Sequence, residues 1–102
     1  MTDMIKNTIG KYVIVRADSA GVFAGTLAEK EGTEVVLKNC RRIWYWAGAA
    51  SLSQMAVDGV SKPDDCKFSK TVKEICITGV IEIIPTTKKA EKCIRGVEIW
   101  EV

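Results

Sequence analysis

Apolar and polar residues alternate in three long stretches of the first half of the chain, and this pattern predicts three β-strands. The stretches cover residues 11–16, 22–29 and 34–46, and polar turns that contain glycine separate them. Strands joined by such short loops pair in antiparallel order and form a meander. Gly25 marks a bulge or a close approach within the second stretch. We therefore expect a curved meander that can close into a small, partly open barrel.

Two short segments of the second half carry helical periodicity. Residues 50–57 place apolar side chains at helical spacing, with Ser51 as the N-cap and Gly59 just beyond the end. A second helix begins after Thr87 and ends at Gly96, with an apolar stripe on one face. Its lysines and arginine form a basic face, which is typical of a solvated surface. The sequence thus predicts two short helices.

Strand patterns also flank the second helix. Residues 72–84 alternate and then become apolar around Gly79, which is compatible with two strands or with one kinked strand. Residues 97–102 alternate again and predict a closing strand, which can pair with an open sheet edge of its own or of another subunit. The chain, residues 1–102, is therefore expected to be a single α+β domain, a curved antiparallel β-meander with two short helices.

Composition and charge narrow the classes of partner. The chain has 102 residues, of which 47% are hydrophobic and 27% charged, as in ordinary globular domains. Its formal net charge is only +2, so DNA is not an expected partner and any anion site must be local. Apolar stretches are too short to span a membrane, and the first residues do not resemble a secretion signal. These features predict a cytoplasmic protein without a membrane partner.

The chain offers little chemistry for catalysis. Histidine is absent, which removes the commonest general base and most nucleophilic pairs. Cys40, Cys66, Cys76 and Cys93 form no C-x-x-C pair and are expected to be reduced thiols rather than disulfides or zinc ligands. Common phosphate loops and nucleophile elbows are also missing. The sequence therefore predicts no enzyme activity, no catalytic residue, no metal site and no cofactor.

The segment that begins at Arg41 places two guanidinium groups beside three aromatic rings. In an extended strand, Arg42 and Trp44 share one face, whereas Arg41 and Ile43 share the other. Flat aromatic surfaces and planar guanidinium groups suit a nucleotide-like anion. The alternative is a buried aromatic strand whose arginines reach solvent along its edges. Under that alternative, Trp44 belongs to the core or to a subunit interface.

Phe68 and Arg95 are further candidates for ligand contacts. Phe68 is the one large apolar residue of a polar connector at residues 60–70, where it either stacks on a ligand or anchors the loop at the edge of the core. Arg95 lies in the last turn of the second predicted helix. There it can cap carbonyl groups or extend over a neighbouring surface.

Several segments together resemble a family of small phage proteins that includes the first described Thoeris anti-defence sponges. The resemblance rests on residues 11–16, 19–23, 41–46, 48–52 and 63–68, among them Arg-Arg-x-Trp-Tyr-Trp and Gly-Ala-Ala-Ser, and it spans most of the chain. It implies a non-enzymatic protein that sequesters the cyclic ADP-ribose isomer made by a bacterial TIR-domain immune enzyme. The downstream effector is then never activated.

The resemblance also implies an assembly and a set of contacts. Members are similar in forming homo-oligomers, dimers that pack into hexamers, and some are thought to hold cyclic di- or trinucleotides at a second site. By position, the stacking aromatic falls on Phe68, the late arginine on Arg95, and a middle arginine on Arg42 or Arg41. Thr78 stands where the family has an asparagine, so the isomer is left open. The expected ligand-binding set is Phe68, Arg95, Arg42, Arg41, Thr78, Phe23 and Trp44.

Two other classes of function fit the same residues. In a structural or protein-interaction module, the aromatic rings of residues 44–46 and Trp100 form an interface rimmed by arginines. In a sponge for cyclic oligonucleotides, or a small barrel that binds single-stranded nucleic acid, bases stack on the same rings. The three classes differ in what they bind: a small nucleotide, no nucleotide, or an oligonucleotide with a steep dependence on salt.

Overall fold

The computed structural model describes residues 3–102, with side chains described from residue 6 onward. Its elements are, in chain order, α1 (Asp3–Thr8), β1 (Tyr12–Ala17), β2 (Gly21–Glu31), β3 (Glu34–Tyr45), α2 (Leu52–Asp58), a 3-10 turn (Pro63–Asp65), β4 (Lys67–Phe68), β5 (Val72–Ile77), β6 (Val80–Pro85) and α3 (Lys88–Gly96). The expected α+β class and the antiparallel meander of β1, β2 and β3 are confirmed.

The second half agrees with the expectations in most elements. The two predicted helices are present as α2 and α3, and the stretch at residues 72–84 forms two strands, β5 and β6. Gly79 separates these strands in a left-handed conformation, with φ of 71°. The sequence pattern did not predict α1 or β4, because each is too short to show a periodicity. No helix among residues 3–102 is long and apolar enough to cross a membrane.

The strands form one sheet in the order β4-β3-β2-β1-β6, and β5 also pairs with β3. The strands β4 and β5 occupy successive parts of the same edge of β3, since β4 pairs with Ile43 and Tyr45 whereas β5 pairs with Val35 to Cys40. β6 pairs with β1 at the opposite side of the sheet. Within residues 3–102, β5 and β6 pair only with β3 and β1 respectively, so the sheet is open between them.

β2 bends so strongly that both of its ends reach the turn between β5 and β6. Asp18, just before β2, donates its backbone N–H to the carbonyl of Gly79 at 2.8 Å. Val80 donates its own N–H to the carbonyl of Thr33, just after β2, at 2.9 Å. A straight strand of 11 residues would span about 36 Å. The sheet therefore curls around its inner face and resembles a barrel that is not closed.

The bend of β2 is concentrated at two irregularities in its pairing with β3. The register shifts once across Gly25 and again across Ala28, and such bulges increase local twist and curvature. A side chain at Gly25 would place its Cβ 3.1 Å from the Cα of Cys40. Glycine is thus required at this position by the close approach of β3, as the sequence pattern predicted.

Alternation along the strands separates the buried residues into two clusters, one on each face of the curled sheet. The inner core lies on the face enclosed by strands and contains Val13, Val15, Ala17, Phe23, Leu27, Val35, Leu37, Cys40, Ile77 and Val80. The helix-side core lies against α2 and α3 and contains Tyr12, Ile14, Ala24, Ile43, Met55, Ala56, Val60, Cys66, Phe68, Ile94 and Val97. The sheet is therefore buried on both faces.

The two helices are capped as their sequences predicted. The Ser51 hydroxyl accepts from the backbone N–H of Gln54 at 3.1 Å at the start of α2. The Thr87 hydroxyl accepts from the N–H of Ala90 at 3.0 Å at the start of α3, and it donates to the Val57 carbonyl at 2.7 Å. The second bond joins the start of α3 to the end of α2. These caps fix the position of α3 and hence of its last turn.

The predicted closing strand at residues 97–102 is wrong. Within this segment, the pairing that the structure describes is a single parallel bridge between Ile99 and Phe68, supported by the N–H of Trp100, which donates to the Phe68 carbonyl at 2.9 Å. β4 has only two residues, so it offers one pairing position and cannot support a longer ladder. The segment instead covers Phe68 from outside.

Candidate anion-binding site

The last part of β3 presents Arg41 and Arg42 on opposite faces of the sheet, as the alternation predicted. Arg41 is 2% exposed and is the one buried charged residue among those that the structure describes. Arg42 is half-buried. No carboxylate of the described residues forms an ion pair with either guanidinium. Two neighbouring positive charges are therefore held in or near the protein interior without an acidic partner.

Arg41 is fixed by backbone carbonyl groups on the helix side of the sheet. Its Nε donates to the Ser69 carbonyl at 2.9 Å, and its Nη1 donates to the carbonyls of Ile94 at 2.8 Å and Arg95 at 3.5 Å. The last two carbonyls belong to the C-terminal turn of α3, where the helix dipole places partial negative charge. The guanidinium also lies 5.3 Å from the ring centroid of Phe68. Arg41 thereby joins β3, the exit of β4 and the end of α3.

These contacts compensate the Arg41 charge only in part. Its Nη2 is buried and has no hydrogen-bond partner among the described residues. Burial lowers the pKa of Arg41 below its usual range, while the neighbouring Tyr12 acts in the opposite direction. Because a buried charge is costly unless it is paired, a guanidinium in this state attracts an anion that can reach it.

Arg42 lies between two aromatic rings on the other face. Its guanidinium carbon is 4.8 Å from the ring centroid of Phe23 and 5.5 Å from that of Trp44. Its Nε is buried and has no partner among the described residues, while its backbone N–H donates to the Ser69 hydroxyl at 2.8 Å. Trp44 is 60% exposed. An open indole surface thus stands beside a cation with an unused donor, a suitable arrangement for a base and a phosphate.

Arg95 and Tyr12 complete what we call the arginine cluster, which comprises Tyr12, Arg41, Arg42, Trp44 and Arg95. The guanidinium carbon of Arg95 lies 4.5 Å from the ring centroid of Tyr12, and its Nε donates to Glu91 Oε2 at 2.9 Å. Tyr12 is 4% exposed and its hydroxyl has no hydrogen-bond partner among the described residues. Burial raises the pKa of Tyr12 to about 12, although Arg95 and Arg41 oppose the shift. The hydroxyl is therefore a neutral donor at ordinary pH.

Comparison with known proteins identifies the domain family. Residues 10–94 match the family described as a domain of unknown function, DUF6948. The chain belongs to the DUF6948 family. No curated protein matches the chain.

The DUF6948 chain is also similar to a solved structure described as a heptameric archaeal Sm protein, with implications for the eukaryotic snRNP core. The two chains are 17% identical with a TM-score of 0.54, and the match covers 84% of this chain and 100% of the archaeal chain. A likeness at this level of identity concerns the fold alone. It agrees with a strongly curved, barrel-like sheet in the DUF6948 chain.

The burial of Phe68 differs from its expected role as an exposed stacking ring. Phe68 is 0% exposed and belongs to the helix-side core. It pairs with Ile43 on one side and bridges Ile99 on the other, so both neighbouring segments cover it. Its burial agrees with the alternative role, in which Phe68 anchors the loop at the edge of the core. The ring contacts the Arg41 guanidinium instead of facing solvent.

Trp44 differs from its expected burial in the opposite direction to Phe68, because it is exposed. The expectation that it packs in the core is wrong within this chain, because the indole is one of the most exposed large apolar side chains of the described residues. Trp44 belongs to neither of the two buried clusters of the described residues. Tyr45 is also exposed, as is Trp100, whose ring centroid lies 5.3 Å from Lys67 Nζ.

Two members of the predicted ligand-binding set lie away from the surface of the arginine cluster. Phe23 is buried in the inner core beneath Arg42. Thr78 is exposed in the turn after β5, and Ile77 beside it pairs with Val35 at the start of β3. Phe68 pairs near the end of the same strand. A single subunit therefore does not bring Thr78 together with Phe68.

Tyr12 is the member of the cluster that sequence reasoning missed. It stands at the start of the apolar run of the first predicted strand, a position that by itself indicates no ligand contact. The signal that could have found it is the phenol itself, because a buried tyrosine hydroxyl normally has a partner. Thr26 is opposite Tyr12 on β2, yet it gives that hydroxyl no hydrogen bond.

An open groove elsewhere in the described residues is lined by acidic side chains. This hairpin groove, of about 470 Å³, is formed by the end of β2, the start of β3 and part of β5, and its lining includes Glu29, Glu31, Glu34 and Cys76. None of the ion pairs of residues 3–102 neutralises these glutamates. All four cysteines are free, and no cluster suited to a metal is present in the described residues.

Proposed function

We propose that this protein binds a nucleotide-like anion without transforming it, and that its ligand is a cyclic ADP-ribose isomer captured from TIR-dependent Thoeris signalling. The observation that carries the proposal is the pair of arginines at the end of β3, Arg41 and Arg42. Each lies over an aromatic ring, each keeps a buried N–H without a partner, and neither has a carboxylate partner among the described residues. The sequence resemblance adds the identity of the ligand class and the biological role of a phage sponge.

The chemistry of such a ligand fits the groups of the arginine cluster. A purine ring can stack on the exposed indole of Trp44, and base stacking of this kind contributes about 1–3 kcal/mol per base. The pyrophosphate can accept from the guanidinium of Arg42, which lies beside that indole, and charge-assisted hydrogen bonds of this type are the strong ones. Capture requires affinity and no turnover. A chain without histidine is compatible with that requirement, since sequestration needs no general base.

The proposal includes a homo-oligomer, formed as dimers that pack into hexamers. Nanomolar capture corresponds to about 12 kcal/mol of binding free energy, which requires a largely enclosed site. Trp44 is open to solvent and Thr78 lies at the other end of the β3 ladder, so a second subunit is needed to enclose a ligand between them. The unpaired edges of β5 and β6 offer backbone groups for association. The Sm protein with a similar fold is described as heptameric, which also favours assembly.

A second candidate ligand is a cyclic di- or trinucleotide, favoured by the exposed aromatic rings. Trp44, Tyr45 and Trp100 are all open to solvent, and Lys67 lies over the Trp100 ring. Exposed aromatic rings beside cations can stack bases. If neither ligand class binds, these rings mark a protein-interaction surface instead.

The test is calorimetric titration of the wild-type protein with the cyclic ADP-ribose isomers, followed by denaturation and chemical identification of the released ligand. We expect near one intact ligand per subunit for one isomer. A modified product would make the protein an enzyme, and the absence of heat with every isomer would overturn the ligand assignment.

A matched pair of arginine variants locates the site in the same titration. Arg42→Ala is expected to weaken binding at least tenfold, because it removes a charged donor beside Trp44. Arg16→Ala serves as the control, since Arg16 is an exposed arginine of β1 that is ion-paired to Glu82 at 3.3 Å. Equal loss in both variants would indicate a non-specific effect of charge, and no loss in Arg42→Ala would move the site away from the cluster.

A further inference from the structure

Three buried side-chain polar atoms lack a hydrogen-bond partner among the described residues: Tyr12 Oη, Arg41 Nη2 and Arg42 Nε. Two of them, on Tyr12 and Arg41, lie on the helix-side face of the sheet. Buried polar atoms in native proteins are nearly always paired, so each exception needs an explanation. Two exceptions in one neighbourhood indicate a group that both of them can bind.

The register of the strands brings Tyr12 and Arg41 to the same region. Tyr12 on β1 is opposite Thr26 of β2, and Arg41 on β3 is opposite Ala24 of β2. Thr26 and Ala24 are small, so β2 places no bulky side chain between them. Arg95, in the last turn of α3, connects Tyr12 and Arg41. Its guanidinium covers the Tyr12 ring, and its backbone carbonyl accepts from Arg41 Nη1.

We infer that the Tyr12 hydroxyl and Arg41 Nη2 form an internal seat for a phosphate group, with Arg95 as its cover. The seat lies on the opposite face of the sheet from Arg42 and Trp44, so the inference is separate from the proposed function and the phosphate belongs to a second ligand. Arg41 Nη2 is a donor and the Tyr12 hydroxyl can also donate, so one acceptor group can satisfy both. A phosphate oxygen accepts from both and also offsets the uncompensated charge of Arg41.

The state of Tyr12 agrees with a donor role. Because burial raises the pKa of Tyr12 to about 12, the hydroxyl keeps its proton throughout the physiological range. A phenolate in this place would repel an anion, whereas the neutral phenol can donate to it. The seat differs from the surface of Trp44 in that its two groups are buried, whereas the indole is exposed.

Arg95 controls access to the seat. Its guanidinium lies over the Tyr12 ring and is held by Glu91 four residues earlier on the same helix. The side chain of Arg95 is 42% exposed, so it can move without disturbing the core. When a phosphate enters, Arg95 can leave Glu91 and add its own donors to the bound group.

The first test uses inorganic pyrophosphate as the probe and the tyrosines as reporters. The chain has two tyrosines, so a protein labelled with ¹³C at the tyrosine ζ position gives one signal from Tyr12 and one from Tyr45. We expect pyrophosphate to shift the Tyr12 signal in a saturable manner and to leave the signal of the exposed Tyr45 unchanged. A shift of neither signal, or of Tyr45 alone, would overturn the seat.

The second test is Tyr12→Phe, with Tyr45→Phe as the matched control. Removing an orphaned hydroxyl costs no hydrogen bond and removes a desolvation penalty. Tyr12→Phe is therefore expected to raise the melting temperature while weakening pyrophosphate binding at least tenfold, and Tyr45→Phe is expected to change neither. A Tyr12→Phe protein that melts lower and binds as well as wild type would show that the hydroxyl holds a structural water instead.

The outcomes of these tests separate the seat from the proposed function. Binding of a cyclic ADP-ribose isomer by a wild-type protein whose Tyr12 signal does not respond to pyrophosphate would overturn the seat and leave the function standing. Binding of pyrophosphate with no affinity for any isomer would keep the seat and overturn the assigned ligand. Failure of the wild-type protein to bind either compound would overturn both.

Discussion

The arginine cluster and the hairpin groove lie at opposite ends of the β3 ladder and differ in the two properties that define a ligand site. The groove has volume, about 470 Å³, but it is lined by glutamates that no ion pair of the described residues neutralises. The cluster offers cations with unused donors and an exposed indole. For an anionic ligand, charge and unsatisfied donors decide the location, whereas volume alone does not.

The largest expected effect comes from the ring beneath the cluster. Phe68→Ala should lower the free energy of unfolding by about 3–5 kcal/mol, because it removes a fully buried aromatic side chain. Chemical denaturation measures the loss, with Phe68→Leu as a control that keeps most of the apolar volume. A Phe68→Ala protein that is as stable as wild type but no longer binds the ligand would show that Phe68 stacks on the ligand.

Alkaline pH should have the next largest effect on stability, and it should act through Cys40 and Tyr12. Burial raises the pKa of Cys40 from 9.0 to about 12 and that of Tyr12 from 10.0 to about 12. Since folding favours the protonated forms, their contribution to stability is complete below about pH 9 and is lost as the pH rises towards 12. Urea denaturation across this range should show a smaller decline in Cys40→Ala and Tyr12→Phe. The same decline in both variants and in the wild-type protein would show that Cys40 and Tyr12 do not cause the loss of stability.

Trp44→Ala should weaken nucleotide binding about tenfold, or about 1.4 kcal/mol, while the melting temperature stays unchanged. The physical reason is that the indole is exposed and belongs to neither buried cluster of the described residues, while it stacks with Arg42. Titration and thermal melting measure the two effects separately, with Trp100→Ala as the control on a second exposed indole. A Trp44→Ala protein that failed to fold or assemble would show that Trp44 belongs to the core or to a subunit interface.

The smallest effect is expected in the hairpin groove. Glu31→Gln removes one exposed carboxylate and should change binding of an anionic ligand by less than about 0.5 kcal/mol, slightly in favour of binding. The same titration measures it, and Glu74→Gln on β5 is a control outside the lining of the groove. A tenfold effect of Glu31→Gln alone would place the ligand in the groove.

Much of the fold could be predicted from local pattern. The alternation of apolar residues gave the meander and the opposite faces of Arg41 and Arg42, and the caps Ser51 and Thr87 located both predicted helices. Gly25 correctly marked the bend, because a close approach of two backbones requires the absence of a side chain. These features are set by residues that are close together in the chain, so a local sequence pattern is enough to predict them.

The exposure of the two key aromatic residues could not be predicted in this way. Phe68 is buried because the distant segments around Ile43 and Ile99 enclose it, and Trp44 is exposed because neither buried cluster of the described residues includes it. Both outcomes depend on contacts between remote parts of the chain. Tyr12 shows the same limit, since the orphaned state of its hydroxyl becomes visible only when every neighbour is in place.

The most direct test of the account is a crystal structure of the protein mixed with the cyclic ADP-ribose isomer that titration selects. The account predicts an intact ligand at the arginine cluster, with its base against Trp44, its pyrophosphate within hydrogen-bonding distance of Arg42, and a second subunit enclosing it. A ligand bound in the hairpin groove, or one that does not touch Arg41 or Arg42, would contradict it.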